Sequence, residues 1–486
     1  MSAPPPRATN GRRFLIIGLD SVPPEFMFDR VLSAMPNVAA LMRAGVHAPL
    51  RTTDPPLSSP AWPVMFSGVD PGTLGIYGMR SRVKQSYTKF YTPTSNELPV
   101  PTLWTLESER GRRVCVIGMP VGYPPPKVNG YYISCFLTPG GARDYTHPLS
   151  LRDEIERKYG SYEIDVVFRA EERDQLRHQI SAMTKKRFAI ARELYARERW
   201  DLFAIHEIGS DRLHHAYTKY FDPAHRAYVP GNPYARVAEE YYHLLDEEIG
   251  SLVKLVDDET YVLIVSDHGS MPMLGCFCIN QWLAEKQYLA LRGGVPPGTP
   301  LEKAPVDWGR TQAWGAGGYY ARIFFNVKGR ELQGSVEPAD LPALKDRLLR
   351  DLAAIRNPQG TPMKVDVLEP GKIYRQVRGE PPDLIVYFDD LRWRSAGTMG
   401  YPSVYLDHND TGPDDAVHGF EGVFVLYDPK IRDGRTVPTL NVLDVTPTIL
   451  TLLGEPLPDH LQGRPMTDAV PRAQKAVPSG TPPAPA

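Results

Sequence analysis

Val262-Leu263-Ile264-Val265-Ser266-Asp267-His268-Gly269 is the stretch on which the fold turns. Its apolar run has the length and composition of a strand buried on both faces. The run stops at an acid, an imidazole and a glycine. In an open α/β sheet, ligands bind at the carboxyl ends of strands. Asp267 and His268 offer two metal ligands of different type there, and Gly269 lets the backbone turn away with no Cβ in the path. A strand ending in an ordinary polar turn would read the same way in isolation, so the other strand ends decide.

Working back, Asp201-Leu202-Phe203-Ala204-Ile205 reads as a strand whose exit is Glu207 to His215. Asp211 and His215 are four apart, on one face of a helix, where they suit either an ion or a surface salt bridge. Arg13 to Leu19 is a buried strand ending on Asp20. After it come a short helix, Pro36 to Ala44, closed by Gly45, and then Pro55-Pro56-Leu57-Ser58-Ser59-Pro60-Ala61-Trp62. Ser58 and Ser59 fall at a loop-to-helix junction. A serine there commonly caps the helix. It can also be a nucleophile, because a helix N-terminus favours an alkoxide or a bound phosphate.

Further strands are expected at 114–118, 131–134, 323–327, 365–367, 383–387 and 422–426. Helices are expected at about 172–197, 235–256, 339–356 and 443–450, with a capping-box helix opening at Ser150. Trp308 to Tyr319 reads as a Gly- and aromatic-rich loop, and a late polar loop ends in Val417-His418-Gly419. The alternation predicts an α/β fold, a doubly wound and mostly parallel sheet with helices on both faces.

The 486 residues allow one large α/β domain or two to three smaller ones. A formal net charge of −2 with no block of like charge gives no argument for a nucleic-acid polymer or an anionic membrane as partner. No window approaches the roughly 18 unbroken apolar residues of a membrane span. Met1 to Arg7 lacks the apolar core of a secretory signal. Four cysteines make no disulfide framework, and Cys276-x-Cys278 lacks the second pair of a zinc knuckle. These features predict a cytoplasmic protein. Residues 1–11 and the Pro/Ala-rich 471–486 read as disordered tails.

Collected, the strand-end residues are Asp20, Ser58, Asp211, His215, Asp267, His268 and His418. Mixed His/Asp ligation suits zinc or another first-row divalent ion, whereas calcium favours an all-oxygen shell. Seven groups exceed the needs of one four-coordinate ion and match two ions sharing a nucleophile.

With Gly18-Leu19-Asp20, Pro55 to Trp62, Ser67-Gly68, Pro71-Gly72, Gly75-Ile76, Asp211 to His215, Ser266 to Gly269, Asn326 to Glu331, Pro382-Asp383-Leu384, His418-Gly419 and Asp444 to Thr448 in order over roughly 12–466, the chain resembles the alkaline phosphatase superfamily. Within it, the match is to the type I phosphodiesterase/nucleotide pyrophosphatase-like group of phosphohydrolases and phosphomutases. The resemblance implies a catalytic domain over 12–470 with cap-like insertions at roughly 80–200 and 275–320. It implies two divalent ions, zinc first with manganese or iron as alternatives. Asp211, His215 and His418 would hold one, and Asp20, Asp267 and His268 the other. Ser58, with Ser59 as fallback, would be the nucleophile of a covalent phosphoserine in hydrolysis of a small phosphate mono- or diester, of a nucleotide or another metabolite.

The chain departs from that pattern in two places. Nucleotide pyrophosphatases usually have Thr as nucleophile, and an Asn that binds a phosphoryl oxygen where Ala61 stands. Arg80, Arg51 or Arg212 could serve in place of the Asn. Trp62, where a sulfatase needs Arg, argues against a formylglycine sulfatase. Trp308, Trp314, Tyr319 and Tyr320 are candidate stacking contacts for a base or sugar. The competing readings are a phosphomutase or phosphotransferase using the same phosphoserine, and a non-catalytic metal-binding scaffold.

Overall fold

A computed structural model describes residues 11–472, so the tails expected at either end lie almost wholly outside the described residues. A ten-stranded sheet forms the centre. Its middle runs, in spatial order, Glu421–Tyr427, Thr260–Val265, Arg13–Leu19, Leu202–Glu207, Val114–Ile117 and Gly130–Ile133. The last five are parallel to one another. Glu421–Tyr427 joins antiparallel, and Val46–Arg51 lies antiparallel beyond it.

The strand Arg13–Leu19 is buried at every position. Its side chains alternate between two cores, as the two-residue period of a strand requires. Leu15, Ile17 and Leu19 pack with Val38, Leu176, Ile180, Leu213 and Leu245 of the helices Pro36–Ala44, Arg173–Arg197, Gly209–Phe221 and Val237–Val253. Phe14 and Ile16 pack on the other face with Trp62, Phe66, Trp104 and Ile449 of the helices Ser58–Ser67, Leu103–Glu109 and Val445–Leu453. The sheet is therefore covered on both faces, which is why its strands read as continuous apolar runs.

A second sheet of seven strands lies beside the first. It takes in Gly275–Cys278, Ala313–Ala316, Ala321–Phe325, Val365–Leu368, Leu384–Phe388, Trp393–Ala396 and Tyr405–Leu406. Phe277, Trp314, Phe324 and Leu348 fill its own core, with the helix Leu341–Ala353 packed on it.

Several expectations need correcting. The segment 80–200 is not a cap apart from the sheet: Val114–Ile117 and Gly130–Ile133 extend the parallel ladder, and Arg173–Arg197 covers it. The insertion expected at 275–320 continues to Leu406, because its strands pair with later ones. The loop expected over 308–319 contains the strand Ala313–Ala316. The helix Ser150–Tyr159 forms without a side-chain cap; Leu149 occupies the cap position. Val46–Arg51 escaped the sequence reading because Pro49 and His47 interrupt its pattern, and Pro argues against a paired strand.

Candidate metal centre

The sequence-derived residues converge at three neighbouring strand ends. Asp20 follows Arg13–Leu19, Asp267 and His268 follow Thr260–Val265, and Asp211 lies in the first turn of the helix after Leu202–Glu207. The chain passes from Arg13–Leu19 to Val46–Arg51 on one side of the sheet, then to Val114–Ile117 on the other. Such a reversal opens a crevice at the carboxyl ends of the strands. His418 arrives from Ala416–Gly419, which pairs antiparallel with Gly269–Pro272 and sets Ser270 opposite His418.

Two buried triplets result, Asp211/His215/His418 and Asp20/Asp267/His268. Within each, one potential ligand atom from every residue lies within 4.8 Å of the others. The imidazoles are held from behind. His268 Nδ1 lies 2.9 Å from Gly269 O, His418 Nδ1 2.8 Å from Pro56 O, and His215 Nδ1 2.7 Å from Asp414 Oδ1. These partners only accept, so each Nδ1 carries the hydrogen and each Nε2 turns its lone pair inward.

The inward atoms are short of positive charge. His215 Nε2 and His418 Nε2 face each other at 3.2 Å, and His215 Nε2 is 3.2 Å from Asp211 Oδ1. Asp267 Oδ2 is 3.1 Å from His268 Nε2 and has no hydrogen-bond donor, although it is fully buried. Burial, then the neighbouring Asp20 carboxylate, push the Asp267 carboxyl well above the usual range. Burial and the His268 and His215 rings push His418 well below its own. His215 is drawn up against its burial by Tyr319, Asp414 and Asp211. Converging lone pairs and buried carboxylates are costly unless a cation satisfies them. The residues present therefore fit two divalent ions, and His/Asp sets are of the kind that bind first-row metals.

Ser58 is the first residue of the helix Ser58–Ser67, whose ten residues are all buried. Its Oγ donates to Asp20 Oδ1 at 3.1 Å and lies 3.3 Å from His268 Nε2. First-turn N–H groups have no acceptor within the helix. Pro60 removes one, so the free donors of this turn are those of Ser58 and Ser59. Ser59 Oγ turns instead to Met79 Sδ at 3.5 Å. Asp20 Oδ2 is fixed by His206 Nε2 at 2.8 Å and Trp62 Nε1 at 3.0 Å. The Trp62 ring sits so close to the strand that a Cβ at Gly18 would meet its Cη2 at 2.6 Å. Ser21 takes a left-handed φ of 63°, and its N–H donates to Asp267 Oδ1 at 3.1 Å. Sequence reasoning missed His206, Trp62 as a partner of Asp20, and Asp414. The available signal for His206 was a polar residue inside the apolar strand Leu202–Glu207.

A cavity of ≈ 950 Å³ opens over Ser58, Asp211 and His418, with the second sheet as its far wall. Tyr319 belongs to this site. Its ring stacks on His418 with centroids 3.9 Å apart, and its hydroxyl is 3.3 Å from His215 Nε2. Arg80, Arg212 and Tyr320 also line the cavity, and Arg212 is paired with Asp211 and Asp165. Trp308 does not line it: it stacks on Tyr87 at 3.8 Å and serves packing. Trp314 is likewise core, fully buried. Arg51 lies off the cavity against Asp54 and the Phe420 ring.

Sheet, helices and paired buried triplets define an alkaline phosphatase-type fold with the ligand groups of a two-metal phosphoesterase. The chain belongs to the type I phosphodiesterase/nucleotide pyrophosphatase family, whose model matches residues 14–414. It is a hydrolase acting on phosphoric ester bonds, in a family that depends on metal ions and acts on small phosphate esters. Among solved structures it is similar to murine ectonucleotide pyrophosphatase/phosphodiesterase 5, an inactive threonine-to-alanine variant in complex with AMP, and to the human protein of the same name. Each is 13% identical with a TM-score of 0.54, over 92% of this chain and 96% of the other. No curated protein sequence matches the chain. Among the described residues no helix is long and apolar enough to cross a membrane.

Proposed function

We propose that the chain hydrolyses a small phosphodiester through a covalent phosphoserine on Ser58. The observation that carries this reading is the position of Ser58 Oγ. It sits at the free end of a buried helix, against Asp20 and His268, on the wall of the cavity that Asp211 and His418 also line. Asp211, His215 and His418 would hold one ion; Asp20, Asp267 and His268 would hold the other. Bound ions supply Lewis acidity, which acidifies a coordinated hydroxyl or water and neutralises phosphoryl charge.

The chain's own residues do the rest. Ser58 Oγ attacks phosphorus in line, so that the Oγ–P bond forms as the bond to the leaving alcohol breaks. The N–H groups of Ser58 and Ser59 and the positive end of the helix face the phosphoryl oxygens. Tyr319 Oη, beside His215, is placed to donate to a further oxygen, a role the absent Asn at Ala61 would otherwise take. Water then cleaves Oγ–P and restores the serine.

The mixed His/Asp donors support zinc as the metal. The AMP seen with the murine relative supports a nucleotide as one candidate substrate, and Phe90, Phe136 and Phe168 give the cavity apolar walls for a base. Four free, buried cysteines support a reducing compartment such as the cytoplasm.

Ser58→Ala tests the reading. Turnover of bis(4-nitrophenyl) phosphate is expected to fall by at least about 10³-fold, in line with loss of a covalent nucleophile. Elemental analysis should still find two ions per chain. Wild-type turnover in the variant would overturn the role of Ser58.

A further inference from the structure

Among the described residues, five arginines line the cavity: Arg80, Arg169, Arg212, Arg322 and Arg394. Three have carboxylate partners. Arg169 and Arg394 pair with Asp414, and Arg212 pairs with Asp165 and Asp211. The other two differ. Arg322 is partly buried, and its side-chain bond is Nη1 to Arg80 O at 2.7 Å, with the guanidinium over the Phe90 ring. Arg80 is exposed at the rim. Neither has an ion pair among the described residues.

The acids around the cavity are engaged elsewhere. Asp211 is held by Arg212 and His215. Asp410 accepts from Gly397 N, Thr398 N and Thr398 Oγ1. Glu302 is exposed and lies beyond ion-pair distance of either arginine. Burial is the largest influence on Arg322 and draws its pKa below the ordinary value; Tyr320 works against this and the like charge of Arg80 adds to it. An arginine withdrawn from water with neither a carboxylate nor full hydration is a standing demand for an anion.

This place is joined to the reacting end. Met79, next to Arg80, touches Ser59 Oγ. The loop approaches so closely that a Cβ on Gly78 would stand 3.1 Å from both Arg322 Nη1 and Tyr320 Oη. An anion on Arg322 would therefore share the cavity with an ester at Ser58 without occupying the metal ligands.

We propose that Arg322, with Arg80 at the rim, forms a subsite for a second anionic group of the substrate, a phosphate or carboxylate remote from the scissile phosphorus. The proposal deepens the reading of Ser58 as the nucleophile and rests on it. The substrate is a diester whose one arm carries its own negative charge.

The test uses three 4-nitrophenyl phosphodiesters with the same leaving group, whose other arm is neutral, carboxylate-bearing or phosphate-bearing. The wild-type protein should favour the charged arms, and the better of the two identifies the group. In Arg322→Gln the kcat/KM ratio of charged over neutral arm should fall by about tenfold, the size of one charge-assisted hydrogen bond. Arg80→Gln, at an exposed position, should lower the same ratio by about threefold and keeps the test open should the first variant misfold. Unchanged ratios in folded variants overturn the subsite. Calorimetry with inorganic pyrophosphate and the metal-loaded proteins gives a readout independent of turnover. Binding about tenfold weaker in Arg322→Gln supports the subsite even if no diester is cleaved, a result that would sink the hydrolytic reading alone; equal binding overturns the subsite.

Discussion

Asp414 faces two guanidinium groups and an imidazole at once. Its carboxylate accepts from His215 Nδ1 and pairs with both Arg169 and Arg394. Burial alone would raise its pKa, but His215 and Arg394 outweigh that and hold it well below the usual range. A ligand imidazole owes its tautomer and aim to such a partner, whose loss typically costs 10- to 100-fold in metal affinity. Asp414→Asn should therefore weaken one ion of the pair by about that factor. Stepwise metal titration would show it, with the ion at Asp20, Asp267 and His268 retained. Equal loss of both ions would mean general unfolding instead. The seven residues picked out by type and position are gathered here, because chemistry at a strand end leaves a mark in sequence: an apolar run, then Asp, then His. Supports such as Asp414 and Trp62 leave none, and His206 leaves only a polar residue inside an apolar strand. Each acts through a contact made only in the folded chain, and Asp414 reaches His215 across 199 residues. Trp308 misled for the converse reason, since an aromatic side chain beside glycines reads the same whether it faces a ligand or stacks on Tyr87.

Long elements were legible, and short ones only in part. The helix expected at 172–197 forms as Arg173–Arg197, and the strand expected at 422–426 as Glu421–Tyr427. The helix has enough turns for its period to show, and the strand is a continuous apolar run, as one covered on both faces should be. In the second sheet the strands expected at 323–327, 365–367 and 383–387 form as Ala321–Phe325, Val365–Leu368 and Leu384–Phe388, whereas Gly275–Cys278, Ala313–Ala316, Trp393–Ala396 and Tyr405–Leu406, of four residues or fewer, were too brief to read. The helices Ser150–Tyr159 and Arg173–Arg197 are tied by Glu193, which accepts from Tyr159 Oη at 2.6 Å and pairs with Lys158 and Arg197, each at 2.8 Å. Partial burial would raise the Glu193 pKa, but these three donors outweigh it and bring it to about 2. A carboxylate depressed in the folded state stabilises fully above its unfolded pKa of about 4.3 and loses that contribution as pH falls toward 2. Glu193→Gln should thus lower Tm at pH 7, and the gap to wild type should narrow between about pH 4.5 and 2. Comparing the two proteins in calorimetry at each pH cancels the titration of the metal ligands. A gap that stays constant would show that the charge of Glu193 is not what joins the helices.

At the scale of the molecule, the fold class was readable because strands and helices alternate along the chain and both faces of the central sheet are apolar. The extent of the insertions was not. Whether a segment joins the central ladder or builds its own sheet is decided by partners far along the chain, as when Gly275–Cys278 pairs with Trp393–Ala396. One triplet joins the helix Gly209–Phe221 to Ala416–Gly419 and the other joins the ends of two neighbouring strands of the central sheet, so the ions are expected to act as cross-links. A ligand that binds only the folded state contributes about 2.7 kcal/mol at a hundredfold excess over its Kd. Removing the ions with a chelator should lower Tm, and adding zinc back should restore it. An unchanged Tm would mean that the carboxylates and imidazoles coexist without a cation.

The spacing of the ligands along the chain also sets a timetable for synthesis. A ribosome that has released residue 268 has already delivered Asp20, Ser58, Asp211, His215, Asp267 and His268. It has not delivered Asp414 or His418, nor the strand Glu421–Tyr427 that flanks Thr260–Val265 in the sheet. A nascent chain therefore carries all of one triplet, and Ser58, well before the other triplet can close. Closure of the second triplet waits for His418, and a product ended before that residue would retain half a centre.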